Sequence, residues 1–180
     1  MRETLRRSRS ELGRRRTVIA SADRVLITSV VAVFDSIGPL LGATTSEADA
    51  LSCLKHTPAD LLICSDQLEN GDGPSLVRQA RALHPQLICL MLIQRPLRST
   101  IEAATAAGCQ GLCSRDLVGN GHLLKALQAI DSDDLYIDPV IAGVLRHSRL
   151  SPSGRPLKPG LTVREEDVLR GICRGLSNQE

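Results

Sequence analysis

A short run of consecutive apolar residues near the middle of the chain constrains the fold more than any other feature. The stretch Asp60-Leu-Leu-Ile-Cys-Ser65 is apolar at each inner position and gives way to the polar residues Ser65-Asp66-Gln67 and a turn-forming run that ends at Gly73. A strand of this kind must be covered on both faces, as central strands of parallel sheets are. Ligands of such sheets bind beyond the carboxyl ends of the strands, so Ser65 and Asp66 lie where we expect a site.

Apolar segments on either side of this strand have the spacing of repeated βα units. The segment from Asp23 to Ile37 is rich in β-branched residues and would be assigned to a strand in isolation. We predict a helix there, because parallel strands need a crossover and Ser21-Ala22-Asp23 offers a strand end with a helix cap. The other predicted strands are Thr17 to Ala20, Leu41 to Thr44, Leu87 to Ile93 and Gly111 to Cys113, and the other predicted helices begin near Ser46, Pro74, Ser99 and Val118. This order predicts a doubly wound α/β fold with five parallel strands and helices on both faces.

Composition excludes several classes of function. Apolar residues make up 42% of the 180-residue chain and charged residues 23%. The sequence has neither a run long enough to span a membrane nor the apolar core of a signal peptide. We therefore expect a cytoplasmic protein that does not contact membranes. The six cysteines form no Cys-x-x-Cys pair and the four histidines are scattered, so we predict buried, reduced thiols and no metal. We find no phosphate-binding glycine loop and no Ser/His/Asp set, and we predict no cofactor and no enzymatic activity.

The two ends of the chain differ from its centre. Residues 1–16 carry seven arginines and two glutamates, although the whole chain has a net charge of only +2. We interpret them as a flexible basic tail, with binding to DNA phosphates as the alternative. We assign residues 17–131 to the α/β domain. Residues 132–160 form a predicted linker, with a short helix from Asp138-Pro139 to about Arg146 and a run rich in proline and glycine after it.

Residues 161–180 contain two helix-start signals separated by a glycine. Thr162 and Glu165 form a capping box, the predicted helix ends at Gly175, and Ser177-Asn-Gln-Glu180 is a second capping box. A short helix, a tight turn and the first turn of another helix are typical of the start of a helix-turn-helix.

The run Leu161-Thr-Val-Arg-Glu-Glu-Asp-Val-Leu-Arg-Gly-Ile-Cys-Arg-Gly-Leu-Ser-Asn-Gln-Glu180 resembles the opening of the LuxR-type DNA-binding domain. With a doubly wound domain before it, the chain from about Thr17 onward resembles a response regulator of the NarL/FixJ type. The resemblance implies a receiver domain with strand order 2-1-3-4-5 and a partial DNA-binding domain, whose matching residues are Thr162, Arg164, Glu165, Gly175, Ser177 and Asn178. The base-reading helix of that family would follow Glu180, so we expect no recognition of DNA sequence by the chain as it stands.

The resemblance also implies where a receiver site would lie. In receivers an acidic pair binds Mg²⁺, an aspartate accepts the phosphoryl group, and a Ser/Thr, an aromatic residue and a lysine respond to it. Matched by pattern, these positions hold Ser21 and Ala22 for the acidic pair, Ser65 for the aspartate, and Ile93, Leu112 and Arg115 for the rest. The site is therefore predicted to be degenerate, since serine without an adjacent base is a weak nucleophile and Arg115 is no equivalent of lysine.

A displaced acidic site at Asp23 and Asp66 is the alternative, and we expect Asp66 instead to pair with Arg115 or to cap the next turn. The sequence thus predicts an atypical, phosphorylation-independent response regulator that binds DNA when complete. It is expected to form a homodimer and to respond to a protein partner in place of a histidine kinase. The competing hypotheses are an interaction or dimerisation module that does not bind DNA, and a conventional receiver that is phosphorylated on Asp66.

Overall fold

The computed structural model describes residues 13–34, 38–131 and 135–149. Within these residues a single parallel sheet has the order β2-β1-β3-β4-β5-β6. Its strands are β1 (Thr17–Ala20), β2 (Leu40–Thr44), β3 (Leu61–Ser65), β4 (Ile88–Ile93), β5 (Gly111–Ser114) and β6 (Tyr136–Ile137). The predicted order of the first five strands is confirmed, and β6 is a sixth strand that the sequence analysis did not predict.

Helices cover both faces of the sheet. They are α1 (Arg24–Phe34), α2 (Glu47–His56), α3 (Gly73–Leu83), α4 (Arg98–Ala106), α5 (His122–Asp131) and α6 (Pro139–Arg149), and a 3₁₀ helix (Arg115–Asn120) follows β5 directly. Helices α1 and α5 pack on one face, where Phe34 and Leu127 join the inner residues of β3 and β4. Helices α2, α3, α4 and α6 supply buried residues to the other face. All five residues of β3 are buried, as a central strand requires.

Helix α1 forms despite a sequence that favours a strand. Residues 25–34 contain no charged side chain and are mostly β-branched or apolar, yet they are helical in the structure. The side chain of Asp23 starts the helix, because its Oδ1 accepts hydrogen bonds from the backbone N–H groups of Val25 (2.8 Å) and Leu26 (3.0 Å). The predicted helix is therefore confirmed, and the crossover between β1 and its parallel neighbours outweighs local propensity.

The sheet and the core continue into residues that the sequence analysis assigned to the linker. Tyr136 and Ile137 pair with Gly111 and Leu112 of β5, and Ile141 and Val144 of α6 are buried in the core with α3 and α4. The two-residue strand β6 has no periodicity from which it could have been predicted. The other sequence predictions for the two ends, residues 1–12 of the basic tail and residues 150–180, lie outside the described residues.

The cysteines of the described residues are free. Cys64, Cys89, Cys109 and Cys113 are buried and Cys53 is half-buried. Burial is the largest cause of the raised pKa of each buried thiol, and it raises the pKa of Cys89 to about 12. No helix among the described residues is long and apolar enough to cross a bilayer.

Candidate functional site at the carboxyl edge of the sheet

Two serine hydroxyls meet at the carboxyl edge, where β1 and β3 end side by side. The Oγ atoms of Ser21 and Ser65 lie 2.7 Å apart in a buried hydrogen bond, and the two residues are only 2% and 8% exposed. Ser21 Oγ also accepts a hydrogen bond from the backbone N–H of Asp23 at 3.1 Å. The two predicted site positions are therefore neighbours, and they form a neutral pair with neither a base nor a negative charge between them.

Ala22 fills the second position of the predicted acidic pair. Its methyl group offers no ligand, and its backbone N–H donates to the carbonyl oxygen of Gln67 at 3.3 Å. This contact ties the loop after β1 to the loop after β3. The described residues contain no group of three His, Cys, Asp or Glu side chains placed to hold a metal ion.

An ion pair crosses the edge from the loop after β1 to the loop after β5, which is the 3₁₀ helix that begins at Arg115. The Arg115 guanidinium donates to Asp23 Oδ2, and the side chains of Arg115 and Asp23 are 33% and 23% exposed. The pKa of Asp23 is held below its usual value, first by the backbone N–H of Leu26 and then by that of Val25 and by the charge of Arg115. Both oxygens of this carboxylate thus have partners within the protein.

The expected pairing of Arg115 with Asp66 is wrong. Asp66 is 7% exposed, and its Oδ1 accepts a hydrogen bond from the backbone N–H of Gln94, directly after β4, at 3.0 Å. Burial raises the pKa of Asp66, although backbone N–H groups, Gln94 first among them, oppose the shift. Arg115 pairs with Asp23 instead, a contact between residues 92 positions apart that the linear sequence does not reveal. The two aspartates of the proposed displaced site therefore have separate roles.

The remaining predicted receiver positions are apolar and fully buried. Ile93 at the end of β4 and Leu112 in β5 are both 0% exposed and belong to the core on the α3 and α4 face. An isoleucine side chain cannot hydrogen-bond a phosphoryl group, and a leucine packed in the core has no open position to which it could turn. The structure describes no part of the partial DNA-binding motif, so Thr162, Arg164, Glu165, Gly175, Ser177 and Asn178 remain predictions.

Sequence reasoning missed one buried contact at this edge. Asp138 is fully buried, and its carboxylate accepts from the backbone N–H of Ser114, the last residue of β5, and from that of Ile141 at 3.0 Å. Asp138 therefore caps α6 and attaches it to the residue before Arg115. The Asp138-Pro139 pair signalled a helix start, but the contact with Ser114 depends on the sheet.

Comparison with known proteins gives the following relatives. No protein-family model matches the chain. The chain is 25% identical over 143 residues to the DNA-binding transcriptional activator DevR/DosR of Mycobacterium tuberculosis, a match that covers 78% of this chain and 65% of that protein. It is 26% identical over 137 residues to the fimbriae Z protein of Salmonella typhimurium, which covers 76% of this chain and 64% of that protein. The chain thus spans less than two thirds of the length of either relative.

Solved structures share the fold. The RcsB response regulator of Salmonella typhimurium superposes with a TM-score of 0.64 at 19% identity, covering 89% of this chain and 78% of that chain. RcsB has also been solved as two dimers bound to two parallel DNAs, with a TM-score of 0.65 at 17% identity over 89% of this chain and 77% of that chain.

Proposed function

We propose that the chain is an atypical response regulator of the NarL/LuxR type, which works without phosphorylation and receives its signal through contact with a protein partner. The observation that carries the proposal is the buried hydrogen bond between Ser21 and Ser65. It occupies the place where the resemblance puts one of the metal-binding carboxylates and the phosphoacceptor. A hard divalent cation needs carboxylate or carbonyl oxygens there, and two paired hydroxyls are poor substitutes.

The charges around this pair support the same conclusion. Both carboxylate oxygens of Asp23 accept hydrogen bonds, one from Arg115 and the other from the first turn of α1. Asp66 is buried, and burial favours its neutral form. A phosphoacceptor must be an accessible carboxylate with free oxygens, whereas Asp66 is buried and both oxygens of Asp23 already have partners. The proposal therefore assigns the protein a regulatory role rather than an enzymatic one.

For the complete protein we propose DNA-binding control of transcription, exerted as a dimer. The support is the name of the DevR/DosR relative, the DNA-bound dimers of RcsB, and the resemblance of residues 161–180 to the start of a LuxR-type domain. Sequence recognition would then belong to a helix that follows the partial motif.

The proposal is tested by incubating the full chain with Mg²⁺ and acetyl phosphate and then measuring its intact mass and its peptide masses. We expect no phosphoryl adduct in the wild-type chain, and a conventional receiver treated in parallel serves as the positive control. The Asp66→Asn variant is the matched control within this chain. A stable adduct on Asp66 that this variant abolishes would overturn the phosphorylation-independent mechanism.

A second test addresses regulation in the native host. Strains carrying Ser65→Ala or Asp66→Asn should give the same transcript profile as the wild type, whereas a deletion strain should differ from it. An Asp66→Asn strain that matches the deletion strain would contradict independence from phosphorylation. A deletion strain indistinguishable from the wild type would contradict a role in transcription.

A further inference from the structure

The ion pair between Asp23 and Arg115 connects parts of the domain that are far apart along the sheet. Strands β3 and β4 lie between β1 and β5, so three strand spacings separate the two loops, a distance of about 14 Å at the usual spacing. The two residues are 92 positions apart in the chain. The long arginine side chain thus links the two loops across the carboxyl edge of the sheet.

Each end of this link is fixed to a helix. On one side, Asp23 uses its Oδ1 to cap α1 and its Oδ2 to hold Arg115. On the other side, Arg115 directly follows Ser114, whose backbone N–H is held by Asp138 at the start of α6. The backbone N–H of Asp138 in turn donates to the carbonyl oxygen of Leu112 at 3.0 Å. A continuous series of contacts therefore runs from the start of α1 to the start of α6.

The residues around Asp138 in this series of contacts are buried. Asp138, Leu112 and Ile141 are all 0% exposed and Ser114 is 3% exposed. Buried groups in a close-packed core that are joined by hydrogen bonds do not move independently, so we expect a displacement of the loop after β5 to shift the first turn of α6. Helix α6 is the last described element and is followed in the sequence by the segment that resembles the DNA-binding motif.

We infer that the Asp23–Arg115 ion pair is a built-in latch that holds the loop after β5 and the start of α6 in place, so that an internal contact takes the role that a bound metal and phosphoryl group would have in a switching receiver. The inference deepens the proposed function and rests on it, since a pocket that captured Mg²⁺ would compete for Asp23. The latch is closed in the isolated chain, and an input that opens it acts on α6.

Amide hydrogen exchange of the full chain, followed by mass spectrometry, tests the latch. Asp23→Asn removes the charge but keeps an oxygen that can cap α1, because asparagine is as good an N-cap as aspartate. Its NH₂ group would then face the guanidinium of Arg115, donor against donor. Arg115→Gln opens the same contact from the other side.

We expect both variants to speed exchange by about three- to tenfold in residues 115–120 and in the first turn of α6, the range of a local opening that leaves the global fold intact. Exchange within α1 and β3 should remain at the wild-type rate. The double variant should exchange like either single variant, because the two substitutions break one contact.

The matched control is a second Arg–Asp pair at the opposite edge of the sheet. Arg16 donates to both carboxylate oxygens of Asp60, at 3.0 Å and 2.8 Å. Asp60→Asn should leave the exchange of residues 115–120 and of α6 unchanged. Unchanged exchange in α6 in the Asp23→Asn variant, or faster exchange confined to α1, would overturn the latch.

This assay separates the latch from the proposed function. If exchange in α6 is unchanged in the variants and no phosphoryl adduct forms, the latch is refuted and the proposed function stands. An adduct on Asp66 would remove the phosphorylation-independent function whatever the exchange rates are.

Discussion

Replacing Asp138 by asparagine tests whether α6 belongs structurally to the sheet domain. Both carboxylate oxygens accept backbone hydrogen bonds, one from Ser114 and one from Ile141 at 3.0 Å, in a site with no solvent exposure. Asparagine has the same shape but only one oxygen. Its NH₂ group must therefore face one of the two N–H donors, which leaves that donor without an acceptor.

The size of the effect follows from this count of hydrogen bonds. A buried donor that loses its partner costs about 1–3 kcal/mol, so we expect Asp138→Asn to lower the free energy of unfolding by about that amount. Asp138→Ala leaves both donors unpaired and should cost about twice as much. Domains of this kind have only about 5–15 kcal/mol of net stability, so the loss is readily measured.

The assay is urea unfolding of the full chain, followed by far-ultraviolet circular dichroism. The midpoint should fall while the slope with urea stays constant, because the surface exposed on unfolding does not change. Asp60→Asn, which alters an ion pair whose two side chains are 45% and 40% exposed, is the control and should have a much smaller effect. If the unfolding free energy of Asp138→Asn stays within about 0.5 kcal/mol of the wild-type value, as for an ordinary surface substitution, Asp138 does not attach α6 to the sheet.

Two further predictions concern buried ionisable groups. Because burial raises the pKa of Asp66, the folded chain binds a proton more readily than the unfolded chain, and the unfolding free energy should fall as pH rises from about 4 through the raised pKa. Asp66→Asn should remove this fall in stability and should be at least as stable as the wild type near neutral pH. Urea unfolding at a series of pH values measures both effects. An Asp66→Asn variant less stable than the wild type at neutral pH would contradict the prediction. Iodoacetamide at about pH 8 should modify Cys53 well before Cys89, whose pKa is raised to about 12; peptide mapping measures the order, and early modification of Cys89 would contradict its burial.

The sequence was sufficient for most of the fold because the signals were local and redundant. The continuous apolar run of β3 predicted a central strand, the alternation of strands and helices predicted a doubly wound sheet, and the resemblance to receivers implied the order of its first five strands. Helix α1 required a topological argument against its own propensity, and the structure confirms it. Strand β6 could not be predicted, because two residues carry no period.

The site was predictable in composition but not in its contacts. The resemblance to receivers implied that Ser21 and Ser65 belong to one site, and the structure brings their hydroxyls together. The partner of Arg115 depends on which strand ends face each other across the sheet and on the direction of each side chain. Neither can be read from the spacing of Asp23, Asp66 and Arg115 along the chain. Asp66 was the expected partner of Arg115, and that expectation was wrong.

Helix α1 also has a consequence for the chain before it folds. Residues 25–34 carry no charge, and half of them are valine or isoleucine, so in an extended state they suit intermolecular β-pairing. Native contacts keep them helical against the sheet. Nascent or heat-unfolded molecules lack that restraint, and their aggregation should begin in this segment.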